Sequence, residues 1–307
     1  RTRSACLGRQ LAAGRGHTLL LRRGGRALAV GANAAGESRL PLGGGRGGVR
    51  HVAVAAGAQH SVLLQPDGSA DACGLDLDGQ CRVPALPAGV GYTALAAGAF
   101  HTLLLRSDGR VVAFGSNDWA QCNVPEASPA DPYVSIAAGA CHTILLRSSG
   151  SALAVGLDSQ WQCRLPRLPE EVRYLAAAGG SEHTVLLRSD GRAEAYGSNF
   201  SGQCTVPEAP KGTDYVAVAA GGRHSVLLRS DGEAVAFGDK SFGQCRVPSL
   251  PSGVRYVAAV AGENHTILLR DDGRIVAFGA NGDGQCQFPP LPPADLYVED
   301  RVGDQFE

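Results

Sequence analysis

Methionine is absent from all 307 residues, tryptophan occurs twice, and of 28 basic residues only Lys211 and Lys240 are lysines. With Arg1 at the head, the missing methionine suggests a processed or trimmed chain. RTRSACL then reads either as the remnant of a removed targeting segment, Arg- and Ser-rich and poor in acids, or equally as a plain boundary of the chain. No apolar run approaches the roughly 18 residues that a membrane span needs, so a soluble or peripheral protein is expected, and peripheral association with a membrane complex stays open. Helical periodicity of any length is missing. CxxC and HxxxH spacings are missing too, which argues against a zinc site, as are a nucleophile elbow, a phosphate-binding glycine loop and an EF-hand loop. No cofactor and no metal are therefore expected, and the chain does not read as an enzyme. A formal net charge of −1 argues against direct nucleic-acid binding by the surface as a whole.

What the chain does have is a period. Seven histidines, His17, His60, His101, His142, His183, His224 and His265, are separated by 43 residues once and by 41 thereafter. Cys81, Cys122, Cys163, Cys204, Cys245 and Cys286 keep the same step, each with a proline three positions on. Self-similarity at such a period marks a repeat architecture. Within one copy, YVAVAAG, HSVLLR, EAVAFG and QCRVP are short, rich in β-branched and aromatic residues, and bounded by Gly, Asp, Asn and Pro. The SDG element between the second and third segments is a hairpin turn, in which Gly supplies positive φ and Asp bonds its own backbone. Four strands per copy are expected.

A sheet with apolar residues on both faces must stack on neighbours, and a ring of sheets leaves no exposed end. The Ala-Ala-Gly run suits an innermost strand, where sheets converge, and the proline after each cysteine suits an outer edge. The expected fold is all-β, a single seven-bladed β-propeller with four-stranded antiparallel blades. It spans residues 8–298, between an N-terminal remnant at 1–7 and an acidic C-terminal tail at 299–307. Tyr297-Val298 begins an eighth copy, a surplus strand that would pin the ring. Residues 1–50 carry ten arginines against Glu37 alone, and residues 295–307 carry five acids against Arg301; closing blade one against the acidic tail is preferred to a basic docking edge.

The phrases AAGxxHT, LLRSDGRVVAFGSN and GQC resemble the repeats of the regulator of chromosome condensation family of propellers, over about residues 8–298. The copies here are compact, with Phe114, Tyr196, Phe237 or Phe278 at the family's customary Trp and Cys after GQ. The resemblance implies a propeller and, as an alternative activity, guanine-nucleotide exchange on a small GTPase. That activity would call for an acidic and polar loop cluster and a chromatin-binding tail, neither of which the sequence contains. The photoreceptor relatives rely on clustered Trp, and this chain has two.

The repeated histidines occur once per blade, whereas catalysis needs different residues at one place. They read as structural positions, each buried and bonded to a neighbouring loop. The cysteines recur in places that a ring holds apart, so free packed thiols are expected. These favour a reducing compartment, whether cytoplasm, nucleus or organelle interior. Arg22, Arg106, Arg147, Arg188, Arg229 and Arg270 should ring one face, with nearby aspartates neutralising them. The loop before GQC varies most, carrying Leu77, Trp119, Trp161, Phe200 and Phe242 on one face. Such rings either fold onto the next blade or bind a partner; for the two tryptophans the partner reading is preferred. The function expected is a noncatalytic protein-protein interaction scaffold, an accessory or structural subunit binding a protein partner through one propeller face.

Overall fold

In the computed structural model, which describes residues 10–41 and 49–289, 21 strands form seven three-stranded antiparallel sheets, each from one continuous stretch of chain. The blades are β1–β3 (Leu11–Ala13, His17–Leu21, Ala27–Gly31), β4–β6 (Ala53–Ala56, His60–Leu64, Ala70–Gly74), β7–β9 (Tyr92–Ala97, His101–Arg106, Val111–Gly115) and β10–β12 (Tyr133–Ala138, His142–Arg147, Ala152–Gly156). The last three are β13–β15 (Tyr174–Gly179, His183–Arg188, Ala193–Gly197), β16–β18 (Tyr215–Ala220, His224–Arg229, Ala234–Gly238) and β19–β21 (Tyr256–Ala261, His265–Arg270, Ile275–Gly279). The middle strand is buried along its length, as its uninterrupted apolar run requires. Among the described residues no helix is long and apolar enough to cross a membrane.

The expected fourth strand is where the structure departs from the sequence reading. Around Cys122 the backbone groups a ladder would use are spent locally. The Cys122 N–H donates to Asn117 Oδ1 at 2.9 Å, and Val124 N–H donates to the Cys122 carbonyl at 2.9 Å. Pro125 then offers no donor. The segment is instead held through its proline carbonyl, which accepts from the Tyr133 hydroxyl of the next copy at 3.0 Å. Tyr92, Tyr174, Tyr215 and Tyr256 repeat that bond. Side chains from the segment, such as Val124 and Ala127, fill the wedge between blades with Leu105, Tyr133 and Leu145.

The core is a set of wedges of this kind between neighbouring blades. The seam between the last blade and the first is packed by Leu11 and Leu20 against Ala258, Ile267 and Leu269. A backbone bond joins it as well, Glu263 N–H to the Gly14 carbonyl at 3.1 Å, and the equivalent bond between blades one and two runs from Arg15 N–H to the Gly57 carbonyl at 3.3 Å. The ring is thus closed by ordinary inter-blade contacts. The terminal remnant, Cys6, the glycine-rich link, the Tyr297-Val298 strand and the acidic tail all lie outside the described residues.

Candidate interaction face

Each repeated histidine is buried, and its Nε2 lies 2.9 to 3.1 Å from the hydroxyl that follows the next blade's histidine. The pairs are His17–Ser61, His60–Thr102, His101–Thr143, His142–Thr184, His183–Ser225, His224–Thr266 and His265–Thr18. Every one of these hydroxyls also donates to a loop carbonyl, as Thr143 does to Gln121 at 2.7 Å. A hydroxyl has one proton. Since it goes to the carbonyl, the imidazole must donate, which fixes the neutral Nε2–H tautomer in all seven. Burial pushes His60, His142 and His224 down to about 3, and His17, His101, His183 and His265 to about 4. Among the described residues no His, Cys, Asp and Glu group is arranged to hold a metal.

The carbonyl that Thr143 holds belongs to the loop after the preceding blade's last strand, so each loop is anchored on its neighbour. Within the loop, buried Gln121 takes the Trp119 N–H on Oε1 at 2.9 Å, and the Cys122 thiol donates to the Ser116 carbonyl at 3.3 Å. Five further thiols make the same bond, and in the first copy the Ser38 hydroxyl makes it to the Ala32 carbonyl at 2.7 Å. Burial raises these thiols, Cys81 and Cys163 to about 12 and the others to about 11. Iodoacetamide is therefore expected to label them slowly at neutral pH while the protein is folded, and rapidly once it is denatured, as peptide mass spectrometry would read. Raised pKa removes the reactive thiolate.

With the loop fixed this firmly, its tip side chains face outward. Leu77 is 83% exposed, Trp119 54%, Trp161 63%, Phe200 89% and Phe242 56%, so none is folded away onto a neighbouring blade. All five lie at the end of the blades where the middle strand begins, since that strand's first residue pairs with the last of the third, as His101 does with Gly115. Half-exposed Phe100 joins them from a turn at the same end; its aromatic character beside AAGA in its copy could have announced it.

Trp161 holds an unusual backbone. Two places before the cysteine, five copies have glycine (Gly36, Gly79, Gly202, Gly243 and Gly284), all with positive φ. Trp161 adopts φ of 67° there, and Ala120 61°. Left-handed backbone is costly for a bulky residue and persists where surrounding bonds impose it. The cost places an indole in solvent, with the Arg164 guanidinium 5.1 Å from its ring centre.

The opposite end carries the arginine turns. Arg106 and Arg270 each pair with the aspartate two residues on at 2.5 Å, Arg188 pairs with Asp190 and Glu194, and Arg229 with Asp231. Arg147, whose turn has Ser148-Ser149, instead meets Asp131 at 3.8 Å and lies over the Tyr133 ring. The charges of these five arginines are met within the chain.

Residues 92–118, 215–244 and 256–285 match the family model described as the Regulator of chromosome condensation (RCC1) repeat. No curated protein sequence matches the chain. Among solved structures, Prp20p from Saccharomyces cerevisiae, described with its binding properties to Gsp1p and histones, is 18% identical with a TM-score of 0.73, covering 97% of this chain and 88% of that one. Yeast RCC1 (Prp20) with Kap60 bound to it gives 18% and 0.72, covering 99% and 87%. The CRINKLY WD40 ectodomain of the Arabidopsis thaliana receptor kinase ACR4 gives 18% and 0.68, covering 90% and 96%. These likenesses show a shared propeller fold.

Proposed function

From a chain that carries regulator of chromosome condensation repeats, we propose that this protein is a noncatalytic interaction scaffold, a subunit that holds a protein partner on the face bearing the aromatic arc. The observation that carries this reading is Trp161, kept in a left-handed backbone with its indole exposed. Exposed tryptophans on a rigid frame supply contact area at small entropic cost and dominate interface energies, each worth about 2 kcal/mol or more. The yeast neighbour is described binding Gsp1p and histones, which supports partner binding as a use of this architecture.

The native mass of the protein in a gentle extract should exceed 31.6 kDa with fixed companions. Trp119→Ala and Trp161→Ala together should release those companions while the melting temperature stays level, because both rings stand mostly in solvent. Loss of folding would instead mark the rings as core. Nucleotide exchange on a small GTPase predicts faster release of labelled GDP in the protein's presence; the noncatalytic reading predicts no acceleration.

A further inference from the structure

The aromatic arc has a gap. Above the first blade the flanking loop tips are Ala34 and Gly282-Asp283, and a groove of about 490 Å³ opens there, with Phe242 at one lip. Glu37 stands in its lining at the position that is glutamine in the other six copies. It is 1% exposed, and its Oε2 accepts the Ala35 N–H at 2.8 Å, the bond the glutamines make. In place of the amide nitrogen it has a second carboxylate oxygen, which makes no hydrogen bond or ion pair among the described residues. Asp283 stands at the rim with no ion-pair partner among them, over Gly16, where a Cβ would meet its carboxylate at 2.7 Å. Glu263 is matched by Arg15 at 3.0 Å. Two carboxylates, one of them buried, thus face the groove without a cation.

We infer that this groove is a socket for a cationic side chain, arginine or lysine, presented by the protein partner. The inference rests on the scaffold reading and adds the chemistry of what is held: a basic residue seated beside a partner surface that covers Phe242 and the aromatic arc. A buried carboxylate is costly unless paired, and an incoming guanidinium or ammonium pairs it. Solvent-excluded charge pairs of this kind set register and specificity across an interface. A neutral or acidic residue in the same place would meet an uncompensated charge, so the socket also selects against other partners.

The test is a titration of isotope-labelled protein with acetyl-Gly-Arg-Gly-amide and its lysine counterpart, with the citrulline peptide as uncharged control. Saturable shifts are expected at the Ala35 and Asp283 amides, with the citrulline peptide giving none. Glu37→Gln, which installs the residue six other copies already hold, should hold or raise the melting temperature, since it removes an unpaired buried carboxylate, and should weaken binding about fivefold, as loss of one ion pair does. Shifts that are absent, equal for citrulline, or untouched by Glu37→Gln would overturn the socket. If Glu37→Gln disturbs folding, Asp283→Asn at the exposed rim makes the same comparison. Trp119→Ala with Trp161→Ala should not alter peptide binding. Peptide binding without a Trp-dependent companion would sink the scaffold reading and leave the socket standing, and the reverse result would sink the socket alone.

Discussion

Acidification to about pH 5 is expected to unfold the protein in one steep step, followed by far-ultraviolet circular dichroism. The seven ring histidines are held at about 3 or 4 by burial, against about 6.5 in an unfolded chain. Because the folded pKa is lowered, the unfolded state binds more protons throughout the window from about 6.5 down to about 4, and folding stability falls as pH falls through it. At about pH 5 each histidine costs about 2 kcal/mol, or roughly 14 kcal/mol for all seven. The whole stability of a domain is typically about 5–15 kcal/mol. Protonating one imidazole also breaks the seam it guards, because the Nδ1 atom that would take the proton is buried with no partner. A gradual loss spread evenly from pH 7 to pH 3, or a fold intact at pH 4, would contradict neutral histidines as the ring's fastening.

Thr143→Val is expected to cost about 3–5 kcal/mol in denaturant unfolding, while Thr143→Ser costs less than about 1 kcal/mol. The hydroxyl does two jobs: it accepts from His101 at 3.1 Å and donates to the Gln121 carbonyl at 2.7 Å. Valine keeps the shape and strands a buried donor and a buried acceptor, each worth about 1–3 kcal/mol. Serine retains both bonds and drops a methyl, and the chain already uses it at Ser61 and Ser225, with the same partners at 2.7 to 3.0 Å. Equal losses for the two variants would mean that packing, and not the bridging hydroxyl, holds the seam.

The periodic parts of this architecture were open to reading in the sequence. The His-Thr pair, the SDG hairpins and the Ala-Ala-Gly strand recur because each answers a constraint that every blade shares, so phase alone exposes them. The fourth strand is missing because the valine of QCRVP reports contact with the wedge, which is real for Val247, while the cysteine N–H of the segment is captured by a loop side chain, as Asn117 captures that of Cys122. Composition does not record that competition. The histidines were expected to bond a neighbouring loop; they reach it through the next blade's hydroxyl, a relay that requires knowing which copies touch.

Trp161 was singled out as an exposed aromatic, yet its backbone state was visible only by aligning it under Gly79, Gly202, Gly243 and Gly284. In the sequence Glu37 stands out as the one acid of residues 1–50, and its replacement of a glutamine emerges only when the copies are set in register. Its place above an empty stretch of the arc depends on ring closure, which brings Gly282-Asp283 beside Ala34 and is not a property of any one copy.

Anchoring through carbonyls, buried glutamine and thiol leaves the identity of each loop's tip unconstrained by the wedge beneath it. The face therefore works like a line of type set in a fixed frame: seven slots, any of which can be recast alone. Trp161 and Asp283 are two such recastings, one adding bulk and the other charge, and both stand over the same glutamine and thiol anchors. A lineage that duplicates this chain could acquire a new partner by respelling a single slot, while selection on folding continued to see the same seven blades.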